Sequence, residues 1–101
     1  MDVATELGEV DARIRAAAET VDADTGASPV LVAVVREFLA KSGKVVRSLG
    51  EGGSAREGVV ELEQAGDSAK AAVEADPGAS PETNQAVQRA HRAICVLKAR
   101  M

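Results

Sequence analysis

The chain has a single aromatic residue, Phe38, and neither tryptophan nor tyrosine. A core must therefore be built from Val, Leu, Ile and Ala. Such side chains suit closely approaching helices and disfavour nucleotide or sugar pockets, which usually present aromatic faces. Cysteine is equally scarce. Cys95 stands alone, so it has no partner for an internal disulfide and is no structural zinc site by itself. A reducing, cytoplasmic setting fits one free thiol. Long apolar runs are missing as well: nothing approaches the roughly 18 consecutive apolar residues of a membrane span. The opening Met1-Asp2-Val3-Ala4-Thr5-Glu6 carries acid where a secretory signal carries Lys or Arg. A soluble, unprocessed protein is the expectation.

What the chain does have is a motif used twice. Asp24-Thr25-Gly26-Ala27-Ser28-Pro29 returns 52 residues later as Asp76-Pro77-Gly78-Ala79-Ser80-Pro81, identical at five of six positions. The same offset superposes Glu9 on Glu61, Ala17 on Ala69, Val21 on Val73 and Ala23 on Ala75. Self-similarity at a fixed offset reads as an internal duplication. Each copy joins a helix stop to a helix start, with Gly26 or Gly78 suited to a C-terminal cap and Ser-Pro suited to the N-cap and first helical position. At 101 residues the chain fits one domain, 1–101, made of hairpin repeats at about 1–49 and 53–101.

Apolar periodicity predicts four amphipathic helices. Segment one, about Asp2 to Asp22, carries Val3, Leu7, Val10, Ile14, Ala17 and Val21 on one face. Segment two, from Ser28-Pro29 to Gly50, carries Leu31, Val35, Phe38, Ser42, Val45 and Leu49. Its β-branched opening, Val30 to Val35, suits a buried strand on propensity alone, but the repeat pairs it with the polar, helix-like stretch after Pro81. Segment three opens at Ser54, which with Glu57 has the form of a capping box. It turns Ala55, Val59, Leu62, Gly66, Ala69 and Val73 inward. Segment four follows Ser80-Pro81 with Thr83, Val87, Ala90, Ile94, Leu97 and Met101. Short connections predict an all-α, antiparallel, up-down-up-down four-helix bundle built from two duplicated hairpins. In such a bundle Phe38 shares a layer with Ile14, Gly66 and Ala90, the one large ring facing the smallest residues. Ser42 shares another with Val10, Leu62 and Ile94, three larger apolar residues that offset it.

Charge is layered by helix. Residues 1–27 hold seven acids and two bases, and residues 51–81 repeat those counts; residues 28–50 and 82–101 each hold four bases and one acid. Acidic and basic helices alternate, so an up-and-down arrangement sets opposite signs side by side and like signs on the diagonal. The bases of segment two (Arg36, Lys41, Lys44, Arg47) and of segment four (Arg89, Arg92, Lys98, Arg100) read as solvated faces. With no interleaved aromatics and a pI near 5.0, no nucleic-acid partner is expected.

Three stretches invite chemistry. His91 and Cys95, at i and i+4, share one helix face. As a metal site they are two ligands only and call for a second chain, and no Glu-x-x-His pair for a di-metal centre is present. His91 is also comparable with the exposed histidine of histidine phosphotransfer bundles, although Arg92-Ala93-Ile94-Cys95 stands where Leu-Lys-Gly follows that histidine. Ala65-Gly66-Asp67-Ser68-Ala69-Lys70-Ala71 resembles the attachment site of acyl and peptidyl carrier proteins, small helical domains whose Gly-Asp-Ser-Leu serine carries phosphopantetheine at a helix start. That resemblance implies a modified Ser68. It spans about seven residues, Ala69 replaces the leucine, and the repeat puts Ser68 in mid-helix.

No serine or cysteine can be set beside the only histidine with an orienting acid, so no catalytic, cofactor-binding or metal-binding residues are expected and the protein is read as not an enzyme. The expected role is a non-catalytic protein-protein interaction or assembly module. A carrier function at Ser68 and a metal or phosphotransfer site at His91 are the alternatives. The expected contact face is on segment two, where Val32, Leu39 and Val46 recur at seven-residue steps beyond the inward row; the alternative is that these three merely widen the core stripe. The repeat-related residues of segment four are polar: Asn84, His91 and Lys98. A second copy of the chain is the expected partner, with no nucleic acid, membrane or cofactor.

Overall fold

Helix starts follow from local chemistry. The structure, a computed structural model, describes residues 2–101, leaving Met1 of the acidic opening outside the described residues. Asp2 accepts hydrogen bonds from the backbone N–H groups of Ala4 and Thr5 at 3.0 and 3.3 Å and opens α1, Val3–Ala23. Ser28 caps α2, Pro29–Gly50, through the Leu31 N–H, and Ser80 caps α4, Pro81–Arg100, through the Thr83 N–H. Proline occupies the first helical position in both, where its missing N–H costs nothing. The remaining helix is α3, Ala55–Glu74; the described residues contain no strand.

Two local expectations need correction. Ser54 precedes α3 but makes no side-chain cap hydrogen bond, so the capping box with Glu57 does not form. Both residues are exposed, and water can serve the free N–H groups of that first turn. Gly26 and Gly78 are not left-handed caps either. Among the described residues only Gly52, after α2, has a positive φ, 83°. Gly26 and Gly78 are needed for another reason: the two turns press together, and a Cβ on either glycine would clash with the other's carbonyl oxygen, well inside van der Waals contact distance. The paired turns also cap each other. Asp24 accepts from the Ser80 N–H at 2.9 Å and Asp76 from the Ser28 N–H at 2.8 Å, while each aspartate binds the N–H of its own turn's glycine.

The helices close into a four-membered ring: α1 packs on α2, α2 on α3, α3 on α4, and α4 back on α1. Contacts pair early residues of one helix with late residues of its neighbour. Glu6 meets Arg100, Asp11 meets Ser42, Asp22 meets Arg36, and Glu74 meets Gln88. Between α2 and α3, Val45 lies against Gly58 and Phe38 against Gly66, so the chain reverses at every turn. The resulting body measures 40 × 22 × 17 Å.

Each helix buries the stripe that its periodicity defines. Ile14, Leu31, Phe38, Leu62, Val87, Ala90 and Ile94 are fully enclosed, and Ala18 and Ala65 widen the core beyond the expected rows. The stripe fades at the end away from the paired turns, where Val3, Leu49 and Ala55 are half-buried and Met101 is exposed. Phe38 does face Gly66, where a Cβ would come within 3.2 Å of the ring Cζ. Ser42 is buried as expected, but larger neighbours are not what accommodates it. Its hydroxyl donates to the Asp11 carboxylate at 2.6 Å, a charge-assisted bond that satisfies the buried oxygen.

Candidate functional site

Two surfaces bear on function, and both lie at repeat-related positions of α2 and α4. On α2, Val32 and Leu39 are half-buried and packed against the edge of the core, whereas Val46 is 39% exposed. Arg36, on the same flank of α2, reaches Asp22 of α1. On α4, Asn84 and His91 are half-buried and Lys98 is exposed. The two rows are thus wetted in the same order and differ in chemistry alone, apolar on α2 and polar on α4.

The polar row leads into a compact cluster. His91 sits on α4 in the middle of the helix, next to Gly66 of α3, where a Cβ would come within 3.4 Å of the imidazole Cδ2. Its Nε2 lies 2.8 Å from a carboxylate oxygen of Asp67, on α3, and 3.4 Å from the Cys95 sulfur one turn along α4. The three ligand-type atoms lie within 4.8 Å of one another. His91 and Cys95 are half-buried, and Asp67 is exposed. Burial pushes the Cys95 thiol up from its usual range, and the negative charges of Glu63 and Asp67 push it the same way. Glu63 itself holds Lys98 at 2.7 Å, which raises the lysine in turn.

No family model, curated protein or solved structure matches this chain. The functional argument therefore rests on these side chains.

The expectation that no cysteine stands beside the only histidine together with an acid needs correction: helical spacing pairs His91 with Cys95, and the lie of α3 against α4, which the sequence does not reveal, brings Asp67 to the same ring nitrogen. The only signal for Asp67 was its position after Gly66, inside a stretch read for its serine. Ser68 itself is exposed in the middle of α3, and its hydroxyl donates to the Gln64 carbonyl at 3.2 Å. It lines a groove of about 400 Å³ between α2 and α3 together with Ala33, Val34 and Ala65. The carrier-protein serine that it resembles stands at a helix start. The basic residues of α2 and α4 are in part paired, Arg36 with Asp22, Lys98 with Glu63 and Arg100 with Glu6. Among the described residues no helix is long and apolar enough to cross a membrane.

Proposed function

We propose that this chain is a non-catalytic interaction or assembly module, and that its first partner is a second copy of itself, bound through α2. The observation that carries this reading is the mismatch between equally wetted rows. Where α4 presents Asn84, His91 and Lys98, α2 presents Val32, Leu39 and Val46 at the same order of exposure. The part of this row left in water, chiefly Val46, forgoes burial free energy of about 25 cal/mol per Å². Pairing the same row across a two-fold axis recovers it with one surface. The reading also takes the two hairpins to descend from one, with α2 specialised for contact and α4 for solvent. A cytoplasmic setting goes with it, since the Cys95 thiol is free.

Val46 is the residue to change, because it is exposed and its fold-neutral replacement is already present in α4. Val46→Lys copies Lys98. The wild type should weigh as a dimer by light scattering at tens of micromolar, and the variant should fall to monomer mass with its helical circular dichroism intact. A wild type that is monomeric at high micromolar concentration removes the self-association reading. Intact mass of protein purified from its own cells addresses Ser68 separately: added phosphopantetheine there would make the chain a carrier.

A further inference from the structure

We propose that Asp67, His91 and Cys95 form a binding site for a zinc-class divalent cation that ties α3 to α4. The proposal is independent of self-association, since all three ligands come from one chain. Sequence spacing alone offered two ligands and required another molecule to complete the set; the packing of α3 on α4 supplies the third from within.

One imidazole nitrogen faces both of the other ligand-type atoms. Both the carboxylate oxygen at 2.8 Å and the sulfur at 3.4 Å address the same imidazole nitrogen, Nε2. That nitrogen carries one proton at most, and a proton directed at Asp67 is not directed at Cys95. A cation set among the three atoms engages all of them at once. Bonds of about 2.0 to 2.3 Å from zinc to oxygen, nitrogen and sulfur put tetrahedral ligand atoms about 3.3 to 3.8 Å apart. The His91–Cys95 distance of 3.4 Å already falls in that range, the Asp67–His91 distance of 2.8 Å is shorter, and Asp67, exposed on its helix, is free to open it, with all three atoms within 4.8 Å of one another. The site is also built to be negative. Glu63 stands one turn before Asp67, and Lys98, the cation at this face, is held by Glu63 at 2.7 Å rather than by Asp67.

The donor set selects the ion. A thiolate with an imidazole and a carboxylate favours zinc, cobalt(II) and similar borderline-soft cations over magnesium and calcium, which take oxygen ligands. Three protein ligands leave a fourth position to water, or to Glu63 if it releases Lys98.

Cobalt(II) is the probe, used on the untagged full-length chain. Titration should produce the intense visible bands of tetrahedral cobalt together with a thiolate charge-transfer band in the near ultraviolet. Equimolar zinc should abolish both, and millimolar magnesium should leave them. Cys95→Ser should lose the charge-transfer band. Asp67→Asn, a change on the exposed surface that leaves the fold alone, should weaken binding about tenfold or more. Exposed Glu61, six residues before Asp67 on α3, provides the control, and Glu61→Gln should bind as the wild type does. Weak octahedral spectra without a charge-transfer band, or full binding by Asp67→Asn, would overturn the proposal.

Discussion

At the scale of single residues, the core is governed by one ring and the space made for it. Phe38 is completely buried, and a Cβ on Gly66 would come within 3.2 Å of it and within 3.3 Å of the Ile94 Cγ2. A glycine inside a helix costs about 1 kcal/mol relative to alanine, and here the cost is offset by the packing of an aromatic ring against bare backbone. Phe38→Ala should destabilise by about 3 to 5 kcal/mol through lost burial and a cavity. Gly66→Leu should cost about 1 to 3 kcal/mol through overpacking. The leucine fills part of the cavity that the alanine leaves, so chemical denaturation of the double variant should give less than the sum of the two losses. Strict additivity would mean that the two sites do not share space. Both residues and their pairing are legible in the sequence because a single bulky side chain must face small ones. The Asp11 bond to Ser42 was not legible, since Asp11 looks like any other solvent-facing acid of an amphipathic helix.

At the scale of elements, the two Gly-Ala-Ser-Pro turns act as one structure. Asp24 accepts from the Ser80 N–H, the Thr83 hydroxyl and the Gly26 N–H at 2.9, 2.6 and 2.9 Å, and these donors hold its carboxyl down at about 2. Asp76, which accepts from the Ser28 and Gly78 N–H groups, is lowered for the same reason. A carboxylate whose folded pKa lies below its unfolded value favours the folded state at every pH above the unfolded value. That contribution disappears as pH falls from about 3.8 through about 2. Thermal midpoints should therefore drop over that acid interval. The drop should be shallower in Asp24→Asn, with the two curves running parallel above pH 5. Equal acid slopes in the two proteins would show that the paired turns do not depend on the Asp24 charge. The helix boundaries around these turns follow from Ser-Pro chemistry. The reciprocal capping does not, because a carboxylate serving the start of a different helix leaves no trace in local sequence.

At the scale of the whole molecule, charge and apolar surface act separately. The cross-helix ion pairs all join an acidic helix to a basic one: Asp22 to Arg36, Glu63 to Lys98 and Glu6 to Arg100. They are partly exposed, and such pairs contribute about 0 to 1 kcal/mol each. Their joint effect is to favour neighbours of opposite sign around the ring. About 1 M sodium chloride shortens the screening length to about 3 Å, so it should lower the thermal midpoint by only a few degrees. The α2 contact is apolar and should keep its mass under the same salt. A dimer that dissociates at high salt would mark the contact as electrostatic and move it away from Val32, Leu39 and Val46.

Periodicity and turn chemistry alone determined the number of helices, their approximate limits and most of the stripe each one buries, because a 3.6-residue repeat and a Ser-Pro start are local properties that tertiary contacts here do not override. The alternation of acidic and basic helices was likewise readable in advance. Only the tertiary structure decided which distant groups meet. It set Asp24 against Ser80 and Asp76 against Ser28, gave Gly26 and Gly78 the role of close approach in place of left-handed capping, put Asp11 under Ser42, and delivered Asp67 to His91 and Cys95. Each of these depends on the relative rotation and register of two helices, quantities set by the packing of the whole core and encoded in no single stretch of chain.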